Sequence, residues 1–236
     1  MDSQTNEPAS HRSASGVDLV LFDYGQVLST PPDPAAWSHM QTISHMNAGK
    51  LHEAYWALRH DYDRGVFNGP DYWRAVAQHA TISFDDAQID ALLSADIDLW
   101  AQPNRPMIAW AARLQHAGVR TAILSNIGDA MAEGLTSRLA WLPSFERCIW
   151  SYALRMAKPE PAIFRAASEL LRIELDRILF IDDKQENISA AQCLGMQAIR
   201  YADHATLERS MRDRGLDWLW HPRIAAAQIP PKQSPS

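Results

Sequence analysis

Three short apolar runs that stop abruptly on acidic or hydroxyl side chains constrain this chain more than any other feature. Asp18-Leu19-Val20-Leu21-Phe22 stops at Asp23, residues 119–124 stop at Ser125-Asn126, and residues 177–181 stop at Asp182-Asp183. Cys148-Ile149-Trp150 and residues 196–201 are weaker runs of the same kind. Apolar runs of this length without polar alternation fit strands covered on both faces, as in a parallel sheet. Between them lie stretches of helical spacing: Met107, Trp110, Ala111 and Leu114, then Ile163, Ala166, Ala167 and Leu170, then Ile188, Ala191 and Leu194. Strand alternating with helix predicts an α/β fold, a doubly wound, Rossmann-like parallel sheet with right-handed crossovers.

Residues 30–104 interrupt that alternation. Four stretches of helical spacing follow one another there, at 35–47, 51–64, 71–80 and 85–100, with Asn68-Gly69-Pro70-Asp71 as a turn into a helix. The block reads as a helical cap inserted into a core made of residues 17–29 and 105–221. Residues 1–16 and 222–236, rich in Ser, Pro, Gln and Ala, read as disordered tails.

Charge and composition exclude several classes of partner. With 22 basic against 28 acidic residues the net charge is −6, so no global cationic field draws nucleic acid or anionic lipid, and a phosphate site must be built locally. No apolar run reaches the ~18 residues of a membrane span, and the polar N-terminus lacks the order of a signal peptide. Cys148 and Cys193 are too few for a disulfide framework and read as buried fillers in a reducing compartment. The expectation is a soluble, cytoplasmic monomer or homodimer.

In a parallel sheet the C-terminal strand ends share one edge, where ligands of open α/β sheets bind. Asp23, Ser125 and the Asp182-Asp183 pair are therefore expected to converge. Three carboxylates ~4 Å apart repel by roughly 4 kcal/mol per pair at an effective dielectric near 20. Left alone they would take up protons or splay apart. Mg²⁺ relieves this, since carboxylates, backbone carbonyls and water are the ligands it prefers. Lys158, ahead of Pro159 at an expected helix start, supplies a fixed positive charge. The Ser125 hydroxyl, the Asn126 amide and helix N-terminal amides can hold phosphate oxygens. Asp23 is then free to act as a carboxylate nucleophile on a small phosphate ester.

Asp23-Tyr24-Gly25-Gln26-Val27-Leu28, Leu124-Ser125-Asn126, Lys158-Pro159-Glu160 and Phe180-Ile181-Asp182-Asp183 with Asn187 resemble, in order, the four motifs of the haloacid dehalogenase-like hydrolase superfamily. The resemblance spans about residues 17–201. The first motif is most similar to the branch reading D-x-G-x-V (glucose-1-phosphate phosphatase-like), and Arg64-Gly65-Val66-Phe67 is similar to that branch's cap. The resemblance implies a Mg²⁺-dependent phosphatase. Asp23 would be nucleophile and metal ligand, the Gly25 carbonyl and Asp183 further ligands, and Asp182 the holder of a metal-bound water. Ser125 and Lys158 would bind the transferring phosphoryl group, and Asn187 would order the loop after the acidic pair.

One position departs from the common pattern. Most phosphatases of the superfamily carry a second Asp two residues after the nucleophile, as general acid, and this chain has Gly25 there. Side-chain proton transfer typically contributes about 10²–10⁴-fold, so the substrate either has a good leaving group or receives its proton from the cap. His39 is a weak donor candidate. Trp37, Trp56, Trp73 and Trp100 are expected mostly to pack the cap, with one or two lining a substrate pocket. Taken singly, each site residue has an ordinary reading as a helix cap, a turn or a surface charge, and only their joint order points to chemistry. Two other functions fit less of the pattern. A metal-independent 2-haloacid dehalogenase resembles the chain at Asp23, Ser125 and Lys158 but generally carries hydroxyl residues in place of Asp182 and Asp183. A catalytically weakened, phosphometabolite-binding protein would explain Gly25 alone.

Overall fold

A computed structural model describes residues 16–222. The tails expected at 1–16 and 222–236 therefore lie, apart from Gly16 and Pro222, outside the described residues. Each apolar run forms a strand: β1 (Leu19–Phe22), β2 (Arg120–Ser125), β3 (Arg147–Trp150), β4 (Ile178–Asp182) and β5 (Gln197–Arg200). The five pair in the order β3-β2-β1-β4-β5, and every pairing is parallel. All four residues of β1 are buried, as its uninterrupted apolar character requires.

Alternate side chains of the strands leave for opposite faces. Val20, Phe22, Ile123, Leu179 and Ile181 pack on one side, and Leu19, Leu21, Ala122, Leu124 and Phe180 on the other. The first face is covered by α6 (Arg105–His116), α7 (Asp129–Arg138), α11 (His204–Asp213) and α12 (Asp217–Trp220); the second by α9 (Pro161–Leu171) and α10 (Gln185–Cys193). A one-turn helix, α8 (Ser151–Leu154), follows β3. Cys193 is exposed and Cys148 half-buried, so neither is the buried filler its residue type suggested.

Between β1 and β2 stand α1 (Pro34–Ser44), α2 (Ala48–Ala57), α3 (Arg59–Asp63), α4 (Gly69–His79) and α5 (Asp86–Trp100). They share a core of their own, built on Met40, Leu51, Tyr55, Tyr72, Trp73 and Leu92. The stretch expected as a single helix over 51–64 divides at Leu58, whose φ of −113° and ψ of 0° fall outside helical geometry. Starts are set by side-chain caps: Asp33, Asn47, Asn68 and Asp85 each accept a bond from the first turn, with Asp85 and Gln88 forming a reciprocal capping box. Among the described residues no helix is long and apolar enough to cross a membrane.

Candidate active site

The register of β1 brings the acidic residues together. Phe22 pairs with Ile181, so one step further Asp23 lies beside Asp182, and the Asp23 amide donates to the Ile181 carbonyl at 2.8 Å. On its other side β1 pairs with β2, whose last residue is Ser125. The chain runs outward from β1 through β2 to β3 and then crosses to β4, so Asp23 and Asp182 stand where the strand order reverses. Asp23, Asp182 and Asp183 each offer an oxygen within 4.8 Å of the others.

Lys158 is driven into the middle of this group. Its Nζ lies 2.9 Å from Asp23 Oδ1, and it donates to Asp182 Oδ2 at 2.7 Å and to the Leu124 carbonyl at 2.9 Å. Only 2% of the residue is exposed. Burial works against its charge, but the carboxylates of Asp182 and Asp23 outweigh that and hold it protonated. This changes the electrostatic account: the expectation that a divalent ion alone reconciles the three acids omits a buried ammonium that already offsets one of their charges. The relief is incomplete. Burial, followed by the charges of Asp182 and Asp183, pushes the Asp23 carboxyl up to about 7 despite Lys158, and burial and Asp182 push Asp183 up too.

The loops that present these groups are tied to one another. The Asn126 side chain donates to the Lys158 carbonyl and accepts from the Lys158 amide, both at 2.8 Å. That side chain positions Lys158, while Asn126 also lines, beside Ser125, the floor of a cavity at this edge. The helix after Lys158 begins at Pro161 rather than Pro159, which leaves Lys158 on a loop. Asp182 accepts from Lys184 N at 2.8 Å and from Asn187 Nδ2 at 2.9 and 3.0 Å as well as from Lys158, so both its oxygens are engaged. Gly25 and Gln26 form a tight turn after Asp23, with Gln26 at φ +56°, a conformation a side chain rarely adopts. Its amide reaches Asp183 Oδ2 at 2.9 Å, so the strained residue holds one of the three acids in place.

The donor set suits a hard divalent cation: every side-chain donor is a carboxylate oxygen, with no imidazole or thiolate in the group. Asp23 and Asp183 keep lone pairs for direct ligation, whereas the engaged oxygens of Asp182 favour contact through water.

A cavity of about 300 Å³ opens over this edge, sufficient for a small ligand. Asp23, Gly25, Ser125, Asn126, Lys158 and Asp183 line its floor. The helical insert contributes Trp56, Arg59, His60, Asp63 and Trp100 to the cavity wall. Trp73 packs inside the insert, whereas Trp56 is 42% exposed and takes a wall position. His39 is exposed and does not line the cavity, whereas His60 does. Tyr24 packs its ring on Trp141 of the core and donates its hydroxyl to the Trp100 carbonyl at 2.8 Å. Sequence reasoning missed a buried cluster in the insert. Arg59 donates to Asp63 at 2.9 Å and to Asp96 at 3.3 Å, and the Tyr55 hydroxyl donates to Asp96 at 2.8 Å. Arg59 and Asp63 stand among five charged residues of 51–64 and Asp96 lies on a separate helix, so no local spacing marks the three as a group.

The chain matches known proteins over most of its length. A family model described as haloacid dehalogenase-like hydrolase covers residues 18–195. Drimenol cyclase drtB of Aspergillus calidoustus is 22% identical over 86% of this chain, which spans only 39% of that protein and less of the next two curated relatives. Among solved structures, the HAD family enzyme bt-2542 of Bacteroides thetaiotaomicron, in complex with magnesium and inorganic phosphate, superposes with a TM-score of 0.67. It is 23% identical over 81% of this chain and 99% of that one. L-2-haloacid dehalogenase of Xanthobacter autotrophicus superposes with a TM-score of 0.62 at 20% identity, over 89% and 85% of the two chains.

Proposed function

Because the chain belongs to the haloacid dehalogenase-like hydrolases, we propose that it is a Mg²⁺-dependent phosphatase that cleaves a small phosphomonoester through an aspartyl-phosphate on Asp23. The observation that carries this reading is the third carboxylate. Lys158 already partners Asp23 and Asp182, and Asp183 adds a carboxylate that no lysine or arginine side chain among the described residues hydrogen-bonds. A site that only had to neutralise Asp23 would gain nothing from it.

Asp23, Asp183 and the Gly25 carbonyl are the proposed metal ligands, with Asp182 acting through a water. When bound, the ion supplies charge that screens an anionic nucleophile from an anionic ester. Asp23 Oδ2, the oxygen that Lys158 leaves free, is placed to attack phosphorus. Ser125 and Lys158 hold the phosphoryl oxygens, with Asn126 fixing the Lys158 loop. The insert acts as a cap over the cavity, excluding water and setting specificity. Trp56 and Trp100 on its wall favour a flat, hydroxyl-bearing leaving group, and sugar phosphates are the leading substrate class. That class agrees with the D-x-G-x-V motif. The bound magnesium and phosphate of bt-2542 support the same chemistry.

A second reading, a metal-independent 2-haloacid dehalogenase, draws on the direct contact between Lys158 and Asp23 and on the likeness to the Xanthobacter enzyme. The two separate in one assay. With Mg²⁺ and a panel of small phosphate esters, phosphate release is expected, and chelation or Asp23→Asn is expected to abolish it. Halide release from 2-haloacids, with phosphate esters untouched, would establish the dehalogenase instead.

A further inference from the structure

With Gly25 two places after Asp23, the first motif has no side chain to protonate the group that leaves when Asp23 attacks. Another carboxyl reaches the same cavity from the insert. Asp63 ends α3 and lines the cavity with Asp23, Ser125 and Lys158. Its Oδ1 accepts from Arg59, its Oδ2 has no hydrogen-bond partner among the described residues, and 13% of the side chain is exposed.

The catalytic loops themselves fix where Asp63 stands. Its carbonyl accepts from the Ser151 hydroxyl, and the same oxygen of Ser151 accepts from the Ile127 amide at 2.8 Å, two residues beyond Ser125. The next residue, Arg64, pairs with Glu160, two residues beyond Lys158. Gly65 then turns away at φ +75°, so close to the core that a Cβ there would lie 2.6 Å from the Tyr152 carbonyl. The end of α3 is thus fastened to the segments that carry Ser125 and Lys158, and Asp63 is held over them.

Charge in the cluster leaves room for a proton. Asp63 and Asp96 share one guanidinium, so the buried group carries one negative charge too many. Burial pushes the Asp96 carboxyl up, but Asp96 is enclosed by the Tyr55 hydroxyl and Arg59 and does not line the cavity, so of the two acids only Asp63 can pass a proton to a bound ligand. Burial pushes the Asp63 carboxyl up, against the pull of Arg59 and of Lys184 across the site.

Resting on the phosphatase reading, we propose that Asp63 is the general acid of this enzyme, in place of the aspartate missing at position 25. As the Asp23 oxygen bonds to phosphorus and the ester P–O bond breaks, the Asp63 proton passes to the leaving oxygen, giving the free alcohol. The Asp63 carboxylate then takes a proton from the water that attacks phosphorus, the Asp23–phosphorus bond breaks, and phosphate departs. Asp63 is protonated again, and nothing is oxidised or reduced.

The test compares two esters on the Mg²⁺-loaded protein. An alkyl phosphate such as glycerol phosphate needs its leaving alkoxide protonated; p-nitrophenyl phosphate does not. Asp63→Asn keeps the shape and an acceptor for Arg59. It is expected to lower kcat on the alkyl ester about 10²–10⁴-fold. The first-turnover release of p-nitrophenolate is expected to fall by at most about tenfold. Equal losses on both esters, or an ester-selective loss in His60→Gln instead, would overturn the assignment. If Asp63→Asn fails to fold, as judged by its melting transition, Asp63→Glu serves. It displaces the acid by one methylene and should cut alkyl-ester turnover while sparing first-turnover release, and no such selectivity would again overturn the role. Asp23→Asn separates the two levels of the argument. Its turnover should vanish on both esters, and surviving turnover would sink the phosphatase reading rather than the choice of Asp63 alone.

Discussion

Asp23 is an aspartate whose folded environment opposes its working form. The unfolded chain ionises it near 3.8, whereas burial holds it protonated in the native protein up to about 7. Between those values the unfolded state releases a proton that the native state keeps, so this residue's contribution to stability is present below pH ~4 and is lost as pH rises through ~7. Asn carries no such penalty. In metal-free protein, Asp23→Asn is therefore expected to match wild type near pH 4 and to exceed it by a few kcal/mol at pH 8, at ~1.4 kcal/mol per pH unit of the window. Urea unfolding of both proteins at the two pH values checks this, and a difference that does not grow with pH would contradict it. The residues at strand ends were legible because an apolar run stopping on a carboxylate is visible locally. Arg59, Asp63 and Asp96 were not: Arg59 meets Asp96 across 37 positions of chain, and each charge alone looks like an ordinary solvated helix residue.

Elements meet across close approaches that only glycine permits. At Gly128, which caps α7 just beyond the Ser125-Asn126-Ile127 loop, a Cβ would lie 2.1 Å from the Tyr62 ring of the insert. Tyr62 is fully buried and stacks on Tyr72 at 4.4 Å, so it has nowhere to move. Gly128→Ala is expected to cost about 1–3 kcal/mol through overpacking. It should also raise KM more than it lowers kcat, because the insert must shift off the loop that holds the phosphoryl group. Thermal melts and steady-state kinetics test both parts, and a neutral substitution would show that insert and core are not in fixed contact there. The strands were legible at this scale, since five apolar runs gave five strands. The insert was legible as helical, but four expected stretches became five helices, because 51–64 divides into α2 and α3. The break at Leu58 arises where the chain turns Arg59 into a cluster assembled from α2, α3 and α5, and no residue near 58 announces it.

At the scale of the molecule, a chain of net charge −6 binds an anionic ester only where positive charge is concentrated. Lys158 is one such charge, and the acidic trio proposed to hold Mg²⁺ is the place for another. Mg²⁺ is therefore expected to raise the melting temperature, by the equivalent of ~2.7 kcal/mol at 100 times its Kd. Asp183→Ala should lose most of that rise, and an unchanged rise in the variant would place the ion elsewhere. The architecture followed from the order of strands and helices, while the shared cavity did not, because its insert wall comes from residues with no common spacing. The central claim is that Asp23 itself carries the phosphoryl group. Rapid acid quench during turnover of a small phosphomonoester with Mg²⁺, followed by mass analysis of the peptide containing Asp23, measures this directly. A phosphoryl adduct on Asp23, gone in Asp23→Asn together with phosphate release, is the predicted result; turnover without any adduct on that aspartate, or surviving its replacement, would contradict it.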